Sequence, residues 1–465
     1  MSLSNSAFLA LALVCATSVH AADGVPDTGF GNAGAAFVRP DDVEARQLHP
    51  YATHVLPNGQ LLFGGFRSKF NPEVPFEPEL RATLVRMNAD GSVDAGFGNT
   101  TIPGLVALPD IAPDSRIQAI HAMHVLADGR IVAAGTALAH APATGFVVRL
   151  AADGSVDTTF GTDGFTRLAY TDVRGLAVDS RGRIVVVGNN LEDFGHIFGT
   201  VTRLTPNGGL DAGFAGDGTL AIDWDGGVAS NTFDAVAISA GDAIVVAGSY
   251  VVGDGFDSDF AIARLSDDGS YDTSFAGTGR RTFRPADVVS PTNHIERLAF
   301  TADGDIVFSG QYTNADGKRA LTLGRLNADG SSDDGFGEPA TPGWLRPAIV
   351  PDAFGVDTTD FLMQPDGKPV VSVTYYSPTA KKTFLVVRAT AAGRIDTTFA
   401  NDGIYAPDLA PDGTGSETGS MALAADGKLV IAGAAERVDP LIDLAVVRLV
   451  NPSIAPDAIF ANGFE

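Results

Sequence analysis

The sequence predicts an all-β repeat fold, a seven-bladed β-propeller with four-stranded antiparallel blades. Three observations predict it: a motif that returns at near-constant spacing, the same short apolar strands inside every repeat, and two chain ends that each hold part of one unit. The motif is Asp-x-x-Phe, found at Asp27/Phe30, Asp94/Phe97, Asp157/Phe160, Asp211/Phe214, Asp272/Phe275, Asp333/Phe336 and Asp396/Phe399. Successive Asp residues are 67, 63, 54, 61, 61 and 63 apart, and an eighth copy, Asp457/Phe460, follows 61 residues further on. Eight anchors enclose seven units. Such periodicity marks stacked copies of one supersecondary unit rather than a single irregular core.

Within a unit the first apolar strand ends at a turn, as in Ala122 to Leu126 before Ala-Asp-Gly. Asn58-Gly59, Asp128-Gly129, Asp303-Gly304, Asp366-Gly367 and Asp426-Gly427 read as tight hairpin turns, which need positive φ. The second strand follows at once: Ile131 to Gly135, Ile184 to Gly188, Ile244 to Gly248, Ile306 to Gly310 and Leu429 to Gly433. The third is of the Val-Val-Arg-Leu type, at Phe146 to Leu150, Val201 to Leu204, Phe260 to Leu265 and Leu444 to Leu449. A second Asp-Gly turn leads through the anchor to a fourth strand, such as Phe165 to Ala169 or Thr219 to Ile222. A four-stranded unit buries both faces only against neighbours, and a ring supplies neighbours without end caps. A linear solenoid of the same units is the alternative.

The ends of the chain favour the ring. The N-terminal region holds one anchor and a lone fourth strand, Ala35 to Val38, while the C-terminal unit has three strands and no fourth. The N-terminal strand is therefore expected to complete the last blade and remove the exposed edges. Upstream, Met1 to Ser6 are polar, Ala7 to Val19 are apolar, and Val19-His20-Ala21 fits a small-x-small cleavage site. No Lys or Arg precedes the apolar run. The expected organisation is a signal peptide over 1–21, a propeller over 22–449 and a tail over 450–465. Cys15, the single cysteine, falls in the signal segment, which leaves no thiol chemistry to the mature chain. No other apolar run is long enough to span a bilayer.

The anchor sequences Asp153-Gly-Ser-Val-Asp-Thr-Thr-Phe-Gly161 and Asp268-Gly-Ser-Tyr-Asp-Thr-Ser-Phe275 resemble the bacterial delta-60 repeat family over nearly the whole mature chain. The resemblance implies an exported or surface-associated propeller-like protein, in the periplasm, on the cell surface or outside the cell. The closing Asp457 to Glu465 resembles a terminal tail of exported Gram-negative proteins, which implies a sorting role. The alternative is a truncated anchor that packs on the last blade.

Net charge is −25, which repels phosphate backbones and makes nucleic acid an unsuitable partner. An unknown protein or glycan ligand and a monomeric state are the expectations.

Residues that recur in every unit read as scaffold. Arg86, Arg149, Arg203, Arg264, Arg325, Arg388 and Arg448 close the third strands. In six units the anchor Asp follows eight residues later; Arg448 and Asp457 are nine apart. Each is expected to form an Arg–carboxylate pair, bidentate where geometry allows, and each anchor Phe to fill the space between blades. Asp90-x-Ser92-x-Asp94 and its repeats only faintly resemble a calcium loop, and the turn explains them.

Residues that vary are the functional candidates. Aligned on their hairpin turns, the first strands show Tyr51, His121, Arg174, Asp234, Glu296, Thr359 and Gly419 at one position. If this strand is innermost, these side chains gather at one mouth of the central channel, where they form a ligand-binding set. Asp234 and Glu296 are then a candidate acid/base pair, with His121 in support. His54 and His124 match across adjacent units and read as core or channel-wall histidines. No zinc-type cluster, Gly-x-Ser-x-Gly, Walker-type loop or dinucleotide fingerprint is present, and no cofactor or metal is evident. With only Trp224 and Trp344, a sugar- or quinone-stacking surface has little sequence support. The expected function is therefore a non-catalytic binding or surface interaction scaffold. A propeller hydrolase or lyase that uses carboxylates at the channel mouth is the alternative.

Overall fold

The computed structural model describes residues 22–454, apart from 40–44, 70–78, 99–101, 113–114, 139–142, 170, 191–196, 223, 225–229, 252–256, 286–287, 289–291, 350–353, 379–380, 411–414 and 439–440. The signal-peptide segment 1–21 and the anchor Asp457/Phe460 lie outside the described residues. All regular elements among those described are β-strands.

The chain opens with β1 (Val25–Pro26) and β2 (Ala35–Val38), and strands then pair antiparallel in consecutive fours. These are β3 (Ala45–Val55), β4 (Leu61–Lys69), β5 (Glu79–Met87), β6 (Leu105–Ala107); β7 (Ile117–Val125), β8 (Ile131–Leu138), β9 (Ala143–Leu150), β10 (Phe165–Ala169); and β11 (Thr171–Val178), β12 (Ile184–Asn190), β13 (Phe198–Leu204), β14 (Thr219–Ile222). Next come β15 (Asn231–Ile238), β16 (Ile244–Val251), β17 (Ser258–Leu265), β18 (Arg280–Phe283); β19 (His294–Phe300), β20 (Ile306–Thr313), β21 (Arg319–Leu326), β22 (Trp344–Leu345); and β23 (Gly355–Met363), β24 (Pro369–Tyr376), β25 (Lys382–Arg388), β26 (Ile404–Tyr405). The last three, β27 (Gly415–Leu423), β28 (Leu429–Val438) and β29 (Leu441–Val450), have no fourth strand from their own stretch of chain among the described residues. That place beside β29 is taken by β2, in register Ala35↔Val447 to Val38↔Leu444.

The strands follow the burial each position requires. Second strands are apolar on both faces: every residue from Ile131 to Ala137 is buried, because sheets pack on either side. Fourth strands are short or charged, as in Arg280–Phe283, which protects the free edge of each sheet. The expected fourth strands Phe165–Ala169 and Thr219–Ile222 form with those bounds, whereas second and third strands run longer than their apolar cores suggest. The Asn-Gly and Asp-Gly turns differ from the expected tight type. At 56–60 the Gly59 amide bonds the Leu56 carbonyl (2.8 Å) and the Leu56 amide bonds the Gln60 carbonyl (2.8 Å). Only Gly59 has positive φ (82°), and Asn58 Oδ1 accepts from the Gln60 amide. This is a three-residue loop with one left-handed residue.

The anchors join neighbouring sheets. Arg149 shows the pattern: its Nε donates to Asp157 Oδ2 (2.8 Å), its Nη1 to the Pro206 carbonyl of the next sheet (2.7 Å), and its guanidinium lies 4.9 Å from the Phe160 ring centre. The pair is not bidentate, because Asp157 Oδ1 is taken by the Thr159 amide and hydroxyl. The anchor Phe residues 30, 97, 160, 214, 275, 336 and 399 are all buried, as expected of residues between sheets. Arg448 corrects one expectation. Its carboxylate partner is Asp27 (2.8 Å) near the N-terminus, with Phe30 under the guanidinium. β2 brings the first anchor to the last sheet; Asp457 lies outside the described residues.

Candidate functional site

The first strands of the sheets share one irregularity. β3, β7, β11, β15, β19, β23 and β27 each slip by one residue against the following strand, at Pro50/Ala52, Ile120/Ala122, Val173/Gly175, Phe233/Ala235, Ile295/Arg297, Thr358/Asp360 and Thr418/Ser420. The extra residues are Tyr51, His121, Arg174, Asp234, Glu296, Thr359 and Gly419, the varied positions of the sequence. A bulge leaves one residue unpaired and turns its side chain out of the normal alternation.

The opposing strand accommodates this with glycine. A Cβ on Gly135 would stand 1.9 Å from the Ala119 carbonyl oxygen, and one on Gly188 would stand 2.4 Å from that of Asp172. Gly65, Gly248, Gly310 and Gly433 hold the same place, which Val373 takes opposite Thr358. These glycines are not strand ends; they mark where the bulged backbone comes close.

Tyr51, His121, Arg174 and Asp234 line one cavity of about 210 Å³ between these first strands. From the next two strands the lining residues are Arg297 and Asp360, one position after the bulges. Glu296 instead accepts from Gln311 Nε2 (3.2 Å). Thr359 belongs to a hydroxyl cluster with Ser372 (2.8 Å) and Thr418 (2.7 Å). Gly419 is a point of close approach, since a Cβ there would stand 2.1 Å from the Pro50 carbonyl oxygen.

The cavity has two unlike sides. On one, the Tyr51 and His121 rings stack with centres 5.4 Å apart. Burial, reinforced by the Arg174 charge, pushes His121 down to about 4, so this side is uncharged at neutral pH. On the other, Arg174 pairs with Asp172 (2.6 Å) and lies 3.6 Å from Asp234, and Arg297 lies 3.3 Å from Asp360. Burial pushes the Asp360 carboxyl up. Met123, Leu176, Val236 and Leu298 supply apolar surface.

Asp234 and Glu296 approach each other through a residue the sequence reading passed over. His294 Nε2 bonds Asp234 and lies 4.0 Å from Glu296 Oε2. Burial opposes charge on His294, yet the neighbouring Asp234 carboxylate overrides it and pushes the imidazole up to about 9. Burial also works against the Asp234 charge, but His294 and Arg174 hold its pKa below the usual range. Burial pushes Glu296 the other way, upward. His49, which lies 3.1 Å from Glu417, stands two residues before its bulge, as does His294. Reading the positions two before and one after each varied residue would have found His294, Arg297 and Asp360.

His54 lies against His124, and burial together with that neighbour lowers His54 to about 4. Among the described residues no three His, Cys, Asp or Glu side chains are placed to hold a metal ion. Asp90 Oδ1 accepts from the Ser92 amide (2.9 Å) and hydroxyl (2.6 Å), which makes it a turn residue. Both tryptophans pack elsewhere: Trp224 near Phe233 and Tyr250, Trp344 among Phe260, Phe283 and Phe308.

Five stretches, 56–97, 126–160, 243–275, 301–336 and 424–450, match the family described as a domain of unknown function (DUF5122) β-propeller. The chain has no match among curated proteins. Among solved structures it is similar to a protein of unknown function from Dyadobacter fermentans DSM 18053, at 13% identity over 77% of this chain and 98% of that one, with a TM-score of 0.44. The polysaccharide lyase Uly1 is also 13% identical, over 92% and 96%, with a TM-score of 0.45. A glucose dehydrogenase is 11% identical over 70% and 95%, with a TM-score of 0.40. None of these likenesses bears on activity. The four-stranded antiparallel sheets and the repeat matches together make this chain a β-propeller repeat protein.

Proposed function

We propose that the sheets form a closed ring of seven blades, completed by β2, in an exported protein that binds a small polar ligand at one mouth of the channel. Closure is supported by contacts between the first and last units. Thr53 and Ser420 hydroxyls are 2.6 Å apart, Gln47 pairs with Ile442, and Arg448 donates to the Ala89 carbonyl. Export rests on the segment 1–21, and the anchor motif favours the delta-60 repeat family.

One observation carries the ligand reading. Bulges repeat at one position of every innermost strand, and four of the bulged side chains line the same cavity. A packing requirement would keep one residue type there, as it does for Arg and Phe of the anchor. Chemistry instead varies while the backbone device is retained. A thermal-shift screen against small metabolites tests it. Ligands that stabilise the wild type should lose their effect in Asp234→Asn and Arg174→Gln. Hits that stabilise both variants equally would refute the site.

The second reading, a hydrolase or lyase, is favoured by His294 between Asp234 and Glu296. One carboxyl is held low and the other raised, which is the division of labour an acid/base pair needs. Turnover of a bound ligand by the wild type and its loss in Glu296→Gln would support it. Binding without turnover leaves the non-catalytic reading in place.

A further inference from the structure

Resting on the ligand-site reading above, we infer that the cavity accepts a single pyranose ring, as a free sugar or as the end of a glycan. The argument begins with how the rim charges are arranged. Around the polar side, Arg174, Asp234, Arg297 and Asp360 come from four successive innermost strands and alternate in sign. They are already matched to one another: Arg174 to Asp172 at 2.6 Å and to Asp234 at 3.6 Å, Arg297 to Asp360 at 3.3 Å.

A ligand with a net charge would have to break one of these pairs and leave its partner uncompensated. A hydroxyl group need not. It donates one hydrogen bond and accepts two, while a guanidinium has five donors and a carboxylate about four acceptor positions. A row of hydroxyls can therefore use donors and acceptors that the existing ion pairs leave over. Several hydroxyls on one small ring match an alternating donor–acceptor arc better than a carboxylate or an ammonium group does.

The rest of the cavity fits the other face of such a ring. Met123, Leu176, Val236 and Leu298 offer only carbon and sulfur, and the Tyr51–His121 pair adds a flat, uncharged wall. A pyranose carries its hydroxyls around the edge and C–H groups on its face, so it is amphipathic in the same sense as the cavity. At about 210 Å³ the cavity lies at the small end of ligand pockets, which suits one ring better than a chain of them.

The test is saturation-transfer NMR and calorimetry on the full mature chain with a panel of neutral hexoses, uronic acids, short oligosaccharides, amino acids and dicarboxylates. The expected result is binding of a neutral hexose or an oligosaccharide end, with saturation strongest on the ring C–H protons. Tyr51→Ala and Asp360→Asn should each weaken it at least about tenfold; Arg174→Gln, at the exposed rim, substitutes if either variant fails to fold. Amino acids or dicarboxylates as the sole hits, lost in the same variants, would overturn the sugar inference and leave the ligand site standing. No binding from the panel, or binding that survives every variant, would overturn both.

Discussion

The anchor turns follow the third strands of the sheets and the bulges lie midway along the first strands, and the two use repetition in opposite ways. At the anchors, side chains repeat: Arg, Asp and Phe return in every unit with the same contacts, from Arg86–Asp94 to Arg448–Asp27. At the bulges the backbone repeats while the side chains change from Tyr to His, Arg, Asp, Glu, Thr and Gly. Where neighbouring sheets must be joined, one solution serves every joint. At the bulges the contacts between neighbouring strands differ from unit to unit, as at Thr359–Thr418 and Thr53–Ser420, and the same backbone presents different chemistry.

The sharpest way to break this contrast is at the joint between chain ends. Removal of residues 23–38 takes away β1 and β2, along with the Asp23 and Asp27 partners of Arg388 and Arg448. It should abolish the cooperative urea transition and yield expanded or associated species in size-exclusion chromatography. A single anchor comes next. Arg388 is fully buried, with Asp396, Asp23 and Asn451 around it. Arg388→Ala should cost about 3–5 kcal/mol by urea denaturation, because buried carboxylates lose their counter-ion. Gly135→Ala tests the bulge itself. The added Cβ overlaps the Ala119 carbonyl, so about 1–3 kcal/mol should be lost and the His121 NMR resonances should move.

The pH response is gentler and separates the two regions by sign. Asp157 is held at about 2, above all by the Thr159 hydroxyl, so its contribution is complete above its unfolded pKa and fades as pH falls from about 4 toward 2. His294 is pushed up to about 9, so its contribution is complete below about 6.5 and is lost as pH rises through 9. His121 and His54, pushed down to about 4, bind protons more readily when unfolded, so stability should also fall as pH drops from about 6.5 toward 4 and should peak near 6.5. His294→Gln should remove the alkaline slope alone, as followed by thermal melts across pH. The smallest effect belongs to the exposed rim. Arg174→Gln should change stability by about 1 kcal/mol or less while it abolishes ligand stabilisation.

Much of this was legible in the sequence, for a physical reason. Asp-x-x-Phe and the Arg eight residues earlier recur because each joint needs them, so counting gives the units and their pairing. Counting failed at Arg448, whose partner Asp27 is supplied by the other end of the chain. The second strands read as ending at glycine. Gly135 and Gly188 instead make room for a bulged carbonyl within strands that continue to Leu138 and Asn190. The varied position itself was readable from alignment on the turns. Its neighbours were missed, because a bulge resets which residues face inward, and Arg297 and Asp360 take the place expected of Glu296 and Thr359.

The central claim is that varied residues of separate first strands converge at one site, and the titration of His294 tests it without any ligand. Its neighbours Asp234 and Glu296 lie on β15 and β19, so a raised pKa requires β15 and β19 to meet as described. Followed by NMR of the imidazole, His294 in the wild type should titrate near 9 and fall markedly in Asp234→Asn. A pKa close to 6.5 that does not respond to Asp234→Asn would contradict the account.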